Sequence, residues 1–325
     1  MGTVTMIPRP AGTPAAALTV RSAGSPDAQA LEDLTSMRRR PLALALLASA
    51  TLAVTACAPQ ESSTDSSASG GSGGGSCAPA DLDTVAEDTL TIATDEPAYE
   101  PWVVDDDPTN GQGYESAVAY AVAEQLGYSE DQVEWTRVPF NSAISPGDKP
   151  FDFDVNQFTI NDERRQAVDF SSPYYTATQA VVTVGGSAAE GATSLDDLRD
   201  LRLGAQVATT SLTVLTDVID PTTDPVVFNT NDDAKLALQN GQVDAIVVDL
   251  PTAFFISSAE LDDGVIVGQV ADSGESGDQF GLLLSKDSPL TDCVTQAVDA
   301  LEEDGTLADL QQQWLSDAAD APVLN

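Results

Sequence analysis

The sequence predicts an α/β protein of two lobes, each a mostly parallel sheet flanked by helices, with the second lobe inserted into the first. Two observations predict this fold class. Short apolar runs typical of strands alternate with segments of helical periodicity, and that order occurs twice along the chain. A length of 325 residues is enough for two lobes of ordinary size. We expect residues 77–178 and 281–325 to form lobe 1 and residues 179–280 to form lobe 2, with a ligand cleft between them.

The first lobe is predicted from one helix and three strands. Thr89–Thr94 alternates apolar and polar residues as a strand does, and Val133–Val138 and Phe151–Phe158 are further strand-like runs. Between the first two runs, apolar residues recur at helical spacing through Tyr114–Leu126, and Gly127 is a typical helix stop. Strands joined through a helix by short links pair in parallel, so these runs predict a parallel sheet.

The second lobe repeats the alternation. Its predicted strands are Leu201–Val207, Val226–Asn229, Val243–Asp249 and Gly264–Val270, and its predicted helices are Thr210–Val218, Thr230–Leu238 and Ala253–Ala259. The continuous apolar run that ends at Asp249 is typical of a buried parallel strand. Phe280–Ser285 then predicts a strand, and Pro289–Leu315 predicts an amphipathic helical stretch that closes the first lobe.

The composition excludes several classes of function. The chain has 13 basic and 52 acidic residues and a formal net charge of −39, so its surface repels nucleic acid and anionic membranes. It has no histidine, which excludes Ser-His-Asp and Cys-His catalysis and histidine metal sites. Three cysteines cannot form a four-cysteine zinc site. We therefore expect no nucleic-acid partner and no metal site. An enzyme with this composition would have to use carboxylates, Lys, Tyr or a cofactor, and we expect no cofactor.

The N-terminal part of the chain carries export signals. An arginine run after Met37 precedes the apolar run Pro41–Ala53, which has signal-peptide length and is too short to span a bilayer comfortably. The sequence Val-Thr-Ala-Cys closes that run and resembles a bacterial lipobox, in which Cys57 is lipidated and becomes the first mature residue. We expect a disordered or mis-called leader at residues 1–36 and a lipoprotein signal peptide at residues 37–56. An ordinary signal peptide followed by a chance cysteine is the alternative.

A tether and a cysteine pair follow these signals. Residues 57–76 are rich in Gly and Ser and lack apolar periodicity, which predicts a flexible, lipid-anchored linker. Cys77 and Cys293 lie in an exported context that permits oxidation. A disulfide between them would fasten the start of the folded part to a late helical segment. Two free buried thiols are the alternative.

An arginine pair is the sharpest candidate for ligand binding. Arg164 and Arg165 follow a strand-like run in a chain with few basic residues. A guanidinium group presents a planar fork of donors that matches one carboxylate. We expect Arg164 to make that contact and Arg165 to be structural. A surface arginine paired with Asp162 or Asp169 is the alternative.

Further candidates follow three predicted strands. Asp249 ends a buried strand and could hold an ammonium group, or it could only cap the next helix. Thr209 joins a strand to a helix, where a hydroxyl group and free N–H groups favour an anion or plain capping. Asp95, Tyr99 and Trp102 follow the first strand and could contact a ligand, or they could pack in the core.

Several motifs resemble those of the family-3 solute-binding proteins of ABC importers. They occur in family order as TDEPAYEPW, GYESAVAYAVAEQLGY, FDFDVNQFTINDERRQAVDFSSPYY, LRLGAQVATTS, ALQNGQVDAIVVDLP and ALEEDGTLADLQQQW, over roughly Thr89–Leu315. The resemblance implies the two-lobed periplasmic-binding-protein-like fold (type II) and capture of a polar amino acid by hinge closure without catalysis. It implies a monomer that works with an ABC permease and its ATPase. With the lipid anchor, it implies a location on the extracytoplasmic face of the cell membrane.

The resemblance also assigns roles in the first lobe by matching position. Arg164 resembles the arginine that binds the ligand α-carboxylate. Thr159 resembles a hydroxyl residue that assists it. Gln157 resembles the residue whose backbone carbonyl accepts from the α-ammonium group. Asp95, Tyr99 and Trp102 fall in the region that contacts the ligand side chain and covers it.

In the second lobe, Thr209 would add a carboxylate contact and Asp249 resembles the acid that pairs with the α-ammonium group. The chain departs from the family at Asn156–Phe158, where small residues are common, and at Asn141–Asp148, where a turn replaces a longer helix. Both departures concern pocket size and leave the identity of the amino acid open. Two other functions stay as alternatives: a secreted dehydratase of small carboxylic acids and a ligand-sensing module of a membrane receptor.

Overall fold

Two mixed sheets, one in each lobe, form the framework of the protein. The computed structural model describes residues 76–270, 277–315 and 321–324. Its strands are, in chain order, β1 (Leu90–Thr94), β2 (Val133–Arg137), β3 (Phe153–Asp154), β4 (Val168–Ala177), β5 (Gln179–Val184), β6 (Leu203–Gln206), β7 (Val226–Phe228), β8 (Ala245–Asp249), β9 (Gly264–Val270), β10 (Asp278–Ser285) and β11 (Val323–Leu324). The expected two-lobed α/β fold is confirmed.

Helices cover both faces of these sheets. They are α1 (Tyr114–Gln125), α2 (Phe140–Ala143), α3 (Thr210–Val214), α4 (Asn231–Gln239), α5 (Leu250–Phe255), α6 (Thr291–Glu303) and α7 (Thr306–Leu315). In the first lobe, α1, α6 and α7 bury their apolar sides with Trp102 and Tyr114 in one core cluster. A second cluster that includes Phe140 and Phe158 lies nearer the cleft. No helix in the described part of the chain is long and apolar enough to cross a membrane.

The first sheet has the order β2-β1-β3-β10-β4, and the second has the order β11-β9-β5-β8-β6-β7. The helix-linked strands pair in parallel, as expected. The two strands next to the lobe crossings, β10 and β5, instead run antiparallel to both of their neighbours. Each sheet is therefore mostly parallel in strand direction, as expected, with one reversed strand along which the chain enters or leaves the lobe.

The chain crosses between the lobes at two places near the cleft. β4 ends at Ala177 and β5 begins at Gln179, so only Thr178 separates the two sheets there. The return strand β10 begins at Asp278 and pairs along its whole length with β4 in the first sheet. The chain thus returns to the first sheet at Asp278, slightly before the boundary expected after residue 280.

The C-terminal strand lies in the second sheet. We expected residues 281–325 to belong wholly to lobe 1, but β11 pairs in parallel with β9. The open edge of β9 offers unpaired backbone groups, and these residues satisfy them. The predicted leader, signal peptide, lipidated Cys57 and nearly all of the linker lie outside the described residues.

Cys77 and Cys293 form a disulfide bond, with their Cα atoms 5.5 Å apart. The bond joins the start of the folded part to α6 across a sequence separation of 216 residues. Closing so long a loop removes many conformations from the unfolded chain. The cross-link therefore stabilises the first lobe where its N-terminal segment packs.

We expect the double variant Cys77→Ser/Cys293→Ser to lose about 2–4 kcal/mol of unfolding free energy, because the unfolded chain regains that freedom. Urea denaturation of the full chain measures the loss. Reductant should destabilise the wild type by a similar amount and leave the variant unaffected. Equal stability of variant and wild type would contradict a structural disulfide.

Candidate functional site

A cavity lies between the two lobes, at the carboxyl ends of β1, β3, β6 and β8. It contains about 510 Å³ of space not filled by atoms, the open solvent at its mouth included. Its lining residues are, from the first lobe, Asp95, Tyr99, Phe140, Asn156, Gln157, Arg164 and Phe280, and from the second, Gln179, Gln206, Thr209, Thr210, Ser211, Asn231, Val248 and Asp249. Six of the eight residues predicted to bind ligand are among them.

Arg164 is buried and connects the lobes. Its Nη1 donates to the carbonyl of Thr159 at 2.8 Å, and its Nη2 donates to the carbonyl of Ala208 in the second lobe at 2.9 Å. The guanidinium carbon lies 5.3 Å from the centre of the Phe140 ring. Burial lowers the pKa of Arg164 to about 10, while Asp278 and Glu163 oppose that shift, so the group stays charged at neutral pH. The surface-pairing alternative is wrong, because only 8% of the residue is exposed.

A buried acid from the second lobe lies on the same cavity. Asp249 ends β8 and caps α5: its Oδ1 accepts from the backbone N of Thr252 at 2.9 Å, and its Oδ2 accepts from the Thr252 hydroxyl at 2.8 Å. Burial raises the pKa of Asp249 to about 6, and the bonds from Thr252 partly offset that effect. Asp249 therefore does cap α5, as the alternative to ligand binding predicted. A carboxylate keeps further lone pairs for a ligand while it caps.

Thr209 likewise serves as a cap while it lines the cavity. Its Oγ1 accepts from the backbone N of Leu212 at 3.2 Å and donates to the carbonyl of Gln206 at 2.7 Å. The side chain is thus held at the start of α3. Both of its ordinary hydrogen-bonding directions are used by protein groups.

Gln157 is held in an uncommon backbone conformation by a buried acid. Its φ is 45°, in the left-handed region. Its backbone N donates to Oε1 of Glu115 at 2.7 Å, and its side-chain amide and the hydroxyl of Tyr174 also donate to that carboxyl group. Burial raises the pKa of Glu115 to about 7 against the effect of these donors. We did not single out Glu115 from the sequence, although an acid on the apolar face of the predicted helix was a signal.

Asp95 and Tyr99 line the cavity near the end of β1. Asp95 accepts from the backbone N of Glu96 at 2.7 Å and from that of Phe140 at 3.2 Å. Burial raises its pKa, and the two backbone donors oppose the rise. The hydroxyl of Tyr99 accepts from the backbone N of Asp232 in the second lobe at 3.3 Å. Tyr99 therefore reaches across the cleft.

Two expected ligand contacts do not line the cavity. Trp102 is fully buried and packs edge-on against Tyr114, Tyr175 and Phe280, so the core-packing alternative is correct. Its indole N–H donates to the Thr252 hydroxyl of the second lobe at 2.8 Å. The Thr159 hydroxyl lies 3.2 Å from that of Thr210. It thus faces the second lobe, while the Thr159 backbone forms an isolated bridge with Phe280.

Sequence reasoning linked Asn156 to pocket size only, and it missed Gln179 and Asp278 altogether. Asn156 and Gln179 line the cavity, and neither the Asn156 Nδ2 nor the Gln179 Oε1 has a hydrogen-bond partner among the described residues. Gln179 Nε2 donates to Oδ2 of Asp278 at 2.6 Å. Gln179 and Asp278 occupy the two strands that cross between the lobes. Sequence positions 99 residues apart gave no local signal of this pairing.

Known proteins resemble the chain over most of its folded part. The sequence model of the family described as bacterial extracellular solute-binding proteins, family 3, matches residues 90–317. The arginine-binding extracellular protein ArtP of Bacillus subtilis (strain 168) is 27% identical over 212 residues, which are 63% of this chain and 78% of ArtP. The L-cystine-binding protein TcyJ of Escherichia coli (strain K12) is 29% identical over 240 residues, 72% of this chain and 85% of TcyJ.

The fold is also shared with solved structures. The ancestral amino-acid-binding protein AncCDT-1, a precursor of cyclohexadienyl dehydratase, matches with a TM-score of 0.56 and 27% identity. The match covers 70% of this chain and 94% of that one. The shared part is the two-lobed unit that encloses the cavity.

The raised pKa of Glu115 predicts a pH-dependent stability. Between the ordinary pKa of 4.5 and about 7, folded Glu115 keeps a proton that the unfolded chain releases, so the unfolding free energy falls as pH rises. We expect Glu115→Gln to become more stable relative to wild type by about 1–3 kcal/mol from pH 5 to pH 8. Urea denaturation at both pH values measures the change.

The exposed Glu124 of the same helix supplies the control, and Glu124→Gln should leave the pH dependence as it is. A Glu115→Gln variant that loses stability in parallel with wild type across this range would contradict the prediction.

Proposed function

This chain belongs to the bacterial extracellular solute-binding proteins of family 3, and on that premise we propose that it captures a polar amino acid between its lobes and delivers it to an ABC permease with its ATPase. One observation carries the proposal. A buried arginine from the first lobe, Arg164, and a buried acid from the second, Asp249, line a single cavity. An amino acid is a zwitterion, so its carboxylate needs a cationic partner and its ammonium group needs an anionic one.

Arg164 takes the α-carboxylate of the ligand and Asp249 takes the α-ammonium group. The bonds to Thr159 and Ala208 use two of the five N–H groups of the guanidinium, so donors remain for a carboxylate. Each charge of the zwitterion then has a partner of opposite sign, which offsets the cost of its desolvation. The backbone carbonyl of Gln157 and the aromatic ring of Tyr99 complete the contacts. Because the Thr209 hydroxyl already donates to Gln206, Thr209 contacts the carboxylate through its backbone N–H group.

Ligand capture operates through closure of the lobes. Arg164, Trp102 and Thr159 each meet the second lobe directly, at Ala208, Thr252 and Thr210. A ligand held by Arg164 and Asp249 contacts both lobes only when they are together. It therefore shifts the equilibrium toward the closed form. The permease recognises that form.

The charges near the cavity favour a neutral or cationic ligand side chain. Asp95 and Asp249 line the cavity and Asp278 adjoins it, whereas Arg164 is the cation that lines it. A second anion on the ligand would add to this excess of negative charge. Arginine, named for the relative ArtP, has a cationic side chain and fits this condition. Cystine, named for the relative TcyJ, carries a second carboxylate but also a second ammonium group, so its far end has no net charge.

Binding without catalysis suits the acids in the cavity. A dehydratase would need a carboxylic acid of raised pKa free to donate a proton over the substrate. Asp249 has a raised pKa, but both of its oxygens accept hydrogen bonds from Thr252. Those donors hold it as the ionised acceptor that an ammonium group requires.

Lipidation of Cys57 anchors the protein, as a monomer, to the extracytoplasmic face of the cell membrane. The Gly/Ser-rich tether after Cys57 spaces the binding unit from the bilayer. The signal-like segment that precedes Cys57 supports this proposal.

We expect Arg164→Ala to abolish binding of L-arginine and L-cystine in calorimetry while circular dichroism shows a retained fold. Loss of the buried guanidinium group leaves the ligand carboxylate unpaired and lowers the affinity at least tenfold, which corresponds to about 1.5–3 kcal/mol. Arg165→Ala is the matched control, because Arg165 is the adjacent, exposed arginine. Wild-type affinity in Arg164→Ala would contradict the assignment of Arg164 to the ligand α-carboxylate.

We expect Cys57→Ser to move the protein from the membrane fraction to the medium, because the lipidated residue is lost. Fractionation of expressing bacteria, followed by immunoblotting, measures the distribution. Purified Cys57→Ser should bind the same amino acids as wild type. Retention of the variant in membranes would contradict the anchor.

A further inference from the structure

We propose that the side-chain carbonyl of Gln179 is a second acceptor for the α-ammonium group of the bound amino acid, beside Asp249, and that Asp278 fixes its orientation. The inference rests on the proposed function. It adds a ligand contact that neither the sequence motifs nor the resemblance assigned.

The orientation of the Gln179 amide is set by its nitrogen. Nε2 donates to Oδ2 of Asp278 at 2.6 Å and lies 3.5 Å from the Thr210 hydroxyl. A carboxylate accepts and does not donate, so the nitrogen end must face Asp278. The carbonyl end then points away from that acid. A reversed amide would place two acceptors against each other.

The carbonyl end of Gln179 is buried without a hydrogen-bond partner. Gln179 is 1% exposed, and its Oε1 has no partner among the described residues. A buried polar atom left unpaired is costly, and most such atoms in folded proteins are satisfied. Because Gln179 lines the cavity, a donor on a bound ligand satisfies it there.

Strand pairing places that carbonyl group next to Asp249. In the antiparallel pair of β5 and β8, Gln179 is directly opposite Asp249. Opposite residues share one face of a sheet, with Cβ atoms about 4.5–5.5 Å apart. Both side chains line the cavity from this face. An ammonium group bound by Asp249 is therefore within reach of the Gln179 amide.

The pair suits the chemistry of an ammonium group. Such a group has three N–H donors and needs more than one acceptor when it is buried. Asp249 supplies the charge, while Gln179 supplies a neutral acceptor and so avoids a further buried carboxylate. Asp249 and Gln179 together thus favour ligands that carry a primary amine next to the carboxylate.

Asp278 acts as a positioning residue. It is buried on β10, accepts from Gln179 and from Thr210, and is not among the residues that line the cavity. Gln179 begins one crossing strand and Asp278 begins the other. The residue that would bind the ammonium group and the residue that orients it therefore both lie where the chain crosses between the lobes.

The test compares amino acids with analogues that lack the amine. The affinities of the full chain for L-arginine and L-cystine are measured by calorimetry against δ-guanidinovaleric acid and dithiodipropionic acid. We expect Gln179→Leu to lower the ratio of amino-acid to analogue affinity about tenfold or more, because only the amine uses the Gln179 carbonyl. Asp278→Ala should lower the same ratio. If Gln179→Leu does not fold, Gln179→Met replaces it.

Gln269→Leu is the matched control. Gln269 lies on β9 beside the same crossing, has both amide ends bonded within the protein and does not line the cavity. It should leave the ratio unchanged. An unchanged ratio in Gln179→Leu, or an equal fall in Gln269→Leu, overturns the inference and leaves the proposed function intact. A wild type that binds none of the common amino acids in the same assay overturns both.

Discussion

The structure depends on one buried guanidinium group. Arg164 loses most of its hydration between the lobes, so its donors must find acceptors within the protein or on a ligand. Two donors go to backbone carbonyls, one from each lobe. The residue thereby ties the closed arrangement together and keeps further donors for a carboxylate. The buried Phe140 ring supplies an apolar surface 5.3 Å from the guanidinium carbon.

Several buried acids show a second consequence of burial. Asp154 is fully buried, its oxygens have no partner among the described residues, and burial holds its pKa well above the usual range. Glu115 and Asp249 are shifted in the same direction for the same reason. Desolvation favours the neutral acid, and each partner donor or cation favours the ionised form. Burial therefore raises the pKa of all three carboxyl groups, to about 7 for Glu115 and to about 6 for Asp249.

The sequence predicted features that depend on local order and missed those that depend on folding over distance. Asp249 and Thr209 could be placed because each directly follows a predicted strand and precedes a helix. Trp102 was misplaced because an aromatic residue after a strand can face either the cleft or the core, and the packing of three other rings decides it. Gln179 and Asp278 were missed because strand register brings them together. The register of two strands cannot be read from the spacing of residues along the chain.

The terminal strand β11 has a mechanical consequence. Because α7 packs in the core of the first lobe and β11 pairs in the second sheet, the chain must pass between the lobes a third time after Leu315. Seven residues separate Leu315 from Val323, and a chain of that length spans at most about 29 Å between those two residues. If the lobes open as proposed, this length limits their separation while β11 stays paired. A wider opening would require β11 to detach from its sheet.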